Sequence, residues 1–501
     1  MALELVFQEK VTQYPNLILS EDREQEETVD LIIPDRFPDG AQVLQAYGTP
    51  LIYSMEVSGD TAFVSGEVQA GVLYEGTEGQ LRCVKGRVPF SFRRELKDCG
   101  GEPKLMCSCS LLSADARLLN SRKLLLRVCV GCSLKLYGQK ECHSYDMPEP
   151  SPALQLKRTE LPLRLPVSLG EKRFSLQEEL PVPQELPEAV HLLQTRYSLR
   201  VTEQKAVGDK AVFKGELQIK TLWESEEEQL LSHMWTVPFS QYVSMDRDVE
   251  DCELSTSLSI LSADTQPDGS DGSRLLSAVE LCAQITATGI SRYVLIEDAF
   301  CTDGELSPNY VQENLTACLD RQEFRQNVEL SAERKASSIL SAHAYPTKTL
   351  RHREGDQMHI EQGLCCEVLY YDEEQKLCSC CMKGAVRLAF PLQENATCRV
   401  EEILCAEPLC MANVDGITVK LPVELYVESV AEHQLRAVSG GEVAQPEENG
   451  KRPALILRFT ETAEELWEIA KSCKTSEAAI RQANDLSGDV VPADTLLLIP
   501  M

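Results

Sequence analysis

Cysteine is the residue type with the most capacity for chemistry in this chain. Twenty occur in 501 residues, and two groups are spaced closely enough to hold a metal ion: Cys129-Val-Gly-Cys132 and Cys378-Ser-Cys-Cys381. A zinc site needs thiolates that converge tetrahedrally on one point. The flanks of the first group, Leu124 to Tyr137, alternate like a strand. Residues three apart on a strand face opposite ways, so Cys129 and Cys132 cannot easily share an ion. The second group is the densest, and it too reads better as filler than as ligand. Met1 to Lys10 lacks the basic head and apolar stretch of an export signal. No apolar run approaches the roughly 18 residues of a membrane span. The expectation is a protein that stays where it is made, with its cysteines as free thiols.

Other chemistry is sparse. There is no GxxxxGK[ST], HExxH or GxSxG pattern. The histidines at 143, 191, 233, 343, 352, 359 and 433 do not recur at matching positions of the repeat described below, and they read as surface or satisfied core residues. Acidic runs at Glu21 to Glu27 and Glu224 to Glu228 read as solvated segments. The net charge of −30 argues against nucleic acid and anionic membranes, since both require clustered Lys and Arg. It fits a solvated acidic surface, or one that docks on a basic partner. The sequence therefore calls for a non-catalytic protein with no cofactor and no metal.

The elements that would position any site come from an internal repeat. Val64-Ser-Gly-Glu-Val-Gln-Ala-Gly-Val-Leu-Tyr74 returns as Phe213-Lys-Gly-Glu-Leu-Gln-Ile-Lys-Thr-Leu-Trp223, 149 residues on. Val88-Pro-Phe-Ser91, Leu112-Ser-Ala-Asp115, Pro34 and Pro38 return at the same offset. A diverged third copy begins at Ile360, 147 residues beyond Phe213, with Gly363 displaced by one position and Leu388-Ala-Phe390 in place of Val-Pro-Phe. Cysteines align with apolar residues between copies (Cys132 with Leu281, Cys129 with Ala278, Cys366 with Ile219 and Ala70), which suits a compact hydrophobe better than a ligand.

Period-two alternation at Leu124 to Tyr137 and at Ile417 to Val427 predicts half-buried antiparallel strands. Short helices are expected to open the units at Pro38 to Ala46, Pro187 to Gln194 and Glu333 to Ala342. The connectors at 138–175 and 290–325 read as ordered extensions, and Val438 to Pro453 as a flexible linker. The expected fold class is multidomain and mainly β: three repeated antiparallel β-rich domains with short helices at 1–150, 151–300 and 301–437, a linker at 438–453, and a small α+β (βααβ) domain at 454–501. In that last domain Leu466, Ile469, Ala470 and Cys473 form one helical stripe.

Leu466-Trp-Glu-Ile-Ala470, Ala483-Asn-Asp-Leu486 and Leu498-Ile-Pro500 resemble a LysM domain. That resemblance implies binding of N-acetylglucosamine polymers through two loops, which usually read Gly-Asp-Thr and Pro-Gly. Here those loops hold Ala463, Glu464 and Glu465, and Ala493 and Asp494, with Asn484 and Asp485 ending the second helix. Loss of both glycines favours protein over glycan as the ligand. The Gly-Glu-Val/Leu, Leu-Tyr/Trp and Val-Pro-Phe-Ser motifs resemble the SPOCS domain of spore coat morphogenetic proteins of the SipL kind. That resemblance implies a scaffold in the mother-cell cytoplasm, at the forespore surface, whose partners are the coat basement-layer ATPase and other coat proteins. Peptidoglycan binding through LysM, and polymerisation through exposed β-edges, stay open as alternatives.

Thiol counting under denaturing, non-reducing conditions is expected to find nearly all twenty cysteines reduced. A count lower by several pairs would mean disulfides and overturn this reading.

Overall fold

A computed structural model describes residues 3–96, 102–146, 153–269, 272–444 and 453–501. The first set of strands is β1 (Leu3–Val6), β2 (Gln8–Ile32), β3 (Gly40–Ser58), β4 (Thr61–Gly76), β5 (Leu81–Glu95), β6 (Lys104–Asn120) and β7 (Lys123–Asp146). The second is β8 (Leu154–Pro181), β9 (His191–Val207), β10 (Lys210–Glu224), β11 (Leu230–Ser244), β12 (Glu253–Pro267) and β13 (Arg274–Cys301). The third is β14 (Glu305–Ala332), β15 (Ser338–Glu354), β16 (Gln357–Tyr371), β17 (Leu377–Pro391), β18 (Ala396–Cys405), β19 (Leu409–Asn413) and β20 (Gly416–Ala444). The C-terminal module follows as β21 (Leu455–Thr460), β22 (Glu464–Glu465), α1 (Leu466–Cys473), α2 (Glu477–Asn484), β23 (Val490–Val491) and β24 (Thr495–Pro500). The chain is multidomain and mainly β.

Each set builds two layers. One is a three-stranded meander: β3-β4-β5, β9-β10-β11 or β15-β16-β17. The other is a long antiparallel ladder, β2 with β7, β8 with β13, or β14 with β20, flanked by β6, β12, or β18 and β19. Alternation along β7 places Leu124, Leu126, Val128, Val130, Cys132, Leu134 and Leu136 in the core, facing Val68, Val88 and Phe90 of the meander. The second and third sets enclose equivalent cores.

The repeat motifs have structural causes. Gly66 lies opposite Phe90 and Gly215 opposite Phe239. A Cβ at either glycine would sit 2.6 or 2.4 Å from the ring's Cζ, so the aromatic lies across a bare backbone. The third set has Gln362 and Val386 at this register. Gln362 is fully buried and bonds the carbonyls of Thr347 and Gly363, leaving no room for a ring. Phe390 is buried as well, but four residues further along, opposite Met358. It is therefore not the counterpart of Phe90 and Phe239. The hydroxyl of Tyr74 donates to the Pro38 carbonyl and the indole of Trp223 to that of Pro187, both at 3.1 Å, which accounts for the repeated prolines.

Three expectations need correction. The segments at Pro38 to Ala46, Pro187 to Gln194 and Glu333 to Ala342 are not helices; among the described residues the only helices are α1 and α2. The first two open with turns, Phe37 N–H to Pro34 C=O and Leu186 N–H to Pro183 C=O, and enter strands that bulge. Leu44, Leu193 and Leu340 are each skipped by the ladder. A bulge puts successive residues on nearly the same side, and this imitates helical spacing in sequence. Second, Val438 to Ala444 is strand, paired with β14 and β1; the rest of the proposed linker, 445–452, lies outside the described residues. Third, the ladder bulges at Ile18 and Val167 set the register so that Cys132 is level with Ala283, not Leu281, and Cys129 with Glu280, because the turn after β12 is longer than that after β6. Cys132 still exchanges with a small buried residue.

The three bulged leucines meet. Leu44, Leu193 and Leu340 form one cluster with Leu73, Leu222 and Leu369 and with Leu81, Leu230 and Leu377. Each trio holds one equivalent residue from each set, so the sets surround a pseudo-threefold axis. Away from it the long ladders continue past their sandwiches as two-stranded ribbons, whose Tyr14, Cys142, Leu163, Leu295, Leu315 and Leu435 pack together. The connectors at 138–175 and 290–325 largely follow these ribbons and run on into the sandwiches, where Phe174 packs on Phe213 and Phe239, and Phe324 on Phe390; 147–152 lies outside the described residues.

Leu222 is almost completely buried at this axis. Leu222→Ala is expected to cost about 2–5 kcal/mol, read as a lower midpoint in urea, while Leu119→Ala on the exposed end of β6 stays near wild type. Equal midpoints for the two variants would show that the axis does not hold the sets together.

Candidate functional site

The C-terminal module places its two loops side by side. Thr460, fully buried at the end of β21, donates its hydroxyl to the Pro492 carbonyl at 2.8 Å, and its own carbonyl accepts from Asp494 N–H at 2.8 Å. Glu464 and Glu465 pair with Val491 and Val490. Ala463, Glu464, Glu465, Ala493 and Asp494 are thereby gathered at one end of the module. Asp494 adopts φ 57°, a left-handed conformation that glycine adopts more readily. Asn484 and Asp485 do different work. The Asn484 amide donates to the Leu498 carbonyl at 2.6 Å and accepts from Leu498 N–H at 2.7 Å, holding α2 to β24 as a strand neighbour would. Asp485 is the left-handed cap of α2.

Two of the acids at the loops, Glu464 and Glu465, are already partnered. Glu464 accepts from Arg458 at 2.7 Å. Glu465 accepts at 2.9 Å from Lys157 of β8, whose pKa this bond raises. Lys157 belongs to a latch between module and ribbon that sequence reasoning missed. The Asp298 carboxylate, re-aimed by a bulge in β13, accepts from the Trp467 indole at 2.8 Å and from Lys471 at 2.6 Å. Phe300, on the same strand, meets Trp467 edge-on with centroids 4.9 Å apart and joins the module's core. Burial works against the Asp298 charge, but the bonds from Lys471 and Trp467 and the Lys471 charge outweigh it, so its carboxyl is held below the ordinary range. In sequence Asp298 stands in a short Glu297-Asp-Ala299 motif of a polar connector, with nothing that points to the C-terminal module.

A second candidate is an open cleft of about 780 Å³ where the sets face each other. Its charged lining is largely paired across sets: Arg351 with Asp22, Lys348 with Glu24, Lys135 with Glu401 and Arg321 with Glu253. Cys107, Cys109 and Cys132 also line it, with Cys109 directly opposite Cys132. Hydrogen bonds from Cys107 and Cys109 bring Cys132 down to about 5. The group at 378–381 is divided by strand alternation: Cys378 and Cys380 pack on the third core, and Cys381 approaches Cys365. The cleft is a seam of mixed polar and apolar lining, in which most charges are paired and burial pushes the Glu402 carboxyl up to about 7.

Comparison with known protein families finds a SipL, SPOCS domain at residues 40–117 and a LysM domain at residues 464–500. Both are families of non-catalytic binding domains. The chain thus carries a SipL-type SPOCS domain and a C-terminal LysM domain, as the motifs implied. No curated protein and no solved structure gives a significant match. Among the described residues no helix is long and apolar enough to cross a membrane.

Asp298→Ala removes a charge-assisted pair of bonds, each worth roughly 1.5–3 kcal/mol, and is expected to speed amide exchange across Leu466–Cys473 at neutral pH. Because the Asp298 pKa is depressed from its ordinary 3.8, the latch contributes fully above that value and is lost as pH falls below it. Wild-type exchange should therefore approach that of the variant only in acid. Exchange unaffected by the substitution would show that the module docks without this latch.

Proposed function

We propose that this protein is a non-catalytic adaptor of spore coat assembly, which tethers the ATPase of the coat basement layer to the forespore surface from the mother-cell cytoplasm. On this reading residues 1–150, 151–300 and 301–437 are three SPOCS-like copies and 454–501 is the LysM-like domain. Support comes from the SPOCS match, which points to a sporulation role, and from the way the LysM module is mounted. One observation carries the choice of a protein ligand. The outer face of the β21–β24 sheet presents Leu455, Leu457, Phe459, Leu496 and Leu498, each 39–63% exposed. Contiguous exposed apolar side chains of this kind mark protein contact surfaces. The loops, by contrast, carry Ala463 and Ala493 and acids engaged with Arg458 and Lys157.

The second reading, peptidoglycan binding, rests on the LysM match itself. Its loops are correctly juxtaposed, so a glycan chain is the competing occupant.

Full-length protein captured from sporulating cells should bring down the ATPase, and Phe459→Glu with Leu457→Glu should reduce capture at least tenfold while leaving the melting temperature unchanged, because neither side chain is in the core. Muropeptide binding that survives these substitutions, with no ATPase captured by the wild type, would favour the glycan reading.

A further inference from the structure

The hairpin between β15 and β16 carries a cluster that the adaptor reading does not use. Its turn, Glu354-Gly-Asp-Gln357, has counterparts at Ser58-Gly-Asp-Thr61 and Val207-Gly-Asp-Lys210. Gly59, Gly208 and Gly355 have φ of 55°, 55° and 63°, the left-handed conformation that a two-residue hairpin turn requires. With the turns equivalent, the strand pairs behind them are equivalent as well. Two pairs back, the facing residues are Glu56 and Phe63 in the first set, Lys205 and Val212 in the second, and His352 and His359 in the third. Only the third set opposes two imidazoles.

Those rings lie nearly parallel, 7° apart, with centroids separated by 4.8 Å. Glu354 stands two residues from His352 and so on the same face, its carboxylate 3.8 Å from His359 Nε2. One donor atom from each of the three residues lies within 4.8 Å of the other two. Competing cations are directed elsewhere. Arg351 and Arg353 alternate to the opposite face, where Arg351 binds Asp22 and Arg353 binds the carbonyls of Leu392, Gln393, Glu394 and Ala396. These bonds also anchor the hairpin from behind. On the near face Arg387 is paired with Glu361, and the residue level with His359 on β17 is Ala389, too short to cover the imidazoles.

We infer that His352, His359 and Glu354 form a binding site for a divalent transition-metal ion, of which zinc(II) is the probe of choice. Two imidazole nitrogens and one carboxylate oxygen are a donor set suited to zinc, nickel and copper, and three protein ligands leave a fourth position for water or an outside donor. Tetrahedral zinc with ligand bonds of about 2.0–2.1 Å needs donors about 3.3 Å apart. The donors, within 4.8 Å of one another on side chains at least partly exposed, have χ freedom with which to approach that spacing. The sequence, read linearly, assigned no metal. The site arises because a hairpin brings two histidines seven residues apart into direct opposition.

Zinc(II) titrated calorimetrically into the full chain should bind with one equivalent more than it does to His352→Gln/His359→Gln, a difference that cancels any contribution from the twenty cysteines common to both. Glu354→Gln alone should keep the stoichiometry and weaken that equivalent roughly tenfold or more. The metal-free melting temperature of all three proteins should agree, since the residues sit at a surface hairpin tip. Identical zinc stoichiometry and affinity in the wild type and the double variant would overturn the assignment.

Discussion

The structure depends on one local irregularity repeated three times. Each meander's first strand skips a leucine, and the bulge turns Leu44, Leu193 and Leu340 out of their own sandwiches and into a shared apolar cluster. Three sandwiches that could each close a core alone are thereby joined by a fourth core that belongs to none of them. The joining fixes the directions of the long ladders, which then run on as ribbons that pack on one another. The ribbon of the second set carries Asp298 and Phe300, so the latch of the C-terminal module depends on the same geometry.

Around the leucines the equivalence is deliberately broken. The facing pairs one step out are Tyr47 with Gly71, Arg196 with Lys220, and His343 with Glu367. Arg196 reaches across the axis to Glu367 at 2.6 Å, which also accepts from Gln45 and Tyr345, while Tyr47 donates to the Leu193 carbonyl. Gly71 leaves room for the Tyr47 ring. Burial, aided by Arg196 and Lys220, holds His343 well below its ordinary pKa and so neutral. A buried ion pair of this kind adds little net stability compared with apolar packing, but removing one partner is costly. It is made between unlike residues of the three sets, Arg196, Glu367 and Gln45, so an exchange of places between sets would not reproduce it. A second network lies beside the cleft, within the third set, where Glu428 of β20 is flanked by Arg399 of β18 and Arg321 of β14. Burial opposes its charge, the two arginines and Lys135 outweigh burial, and its pKa falls to about 2.

The matched domains and the mounting of the module fit together physically. Three linked sandwiches hold a small binding module at the end of a ribbon, by contacts on α1 that leave the outer face of its two-stranded sheet exposed. Such an arrangement suits an adaptor that must present one surface while others are engaged.

The sequence by itself determined the β class, the repeated organisation, the LysM-like module and the exchange of Cys132 and Cys366 with apolar residues of other copies. These are properties of period and offset, and alternation along Leu124 to Leu136 is legible without knowing what lies opposite. It also led to errors where a strand departs from strict alternation. The bulges at Leu44, Leu193 and Leu340 looked like helix, and a longer turn moved the partner of Cys132 by two residues. Of the loop residues singled out, five converge, but Asn484 and Asp485 support the fold. Only the tertiary structure decided that Asp298 latches Trp467 and Lys471, that Arg196 neutralises Glu367, and that His352 faces His359. The reason is that each of these depends on which residues stand opposite one another across strands or sets, and cross-strand register is a property of pairing that no single segment encodes.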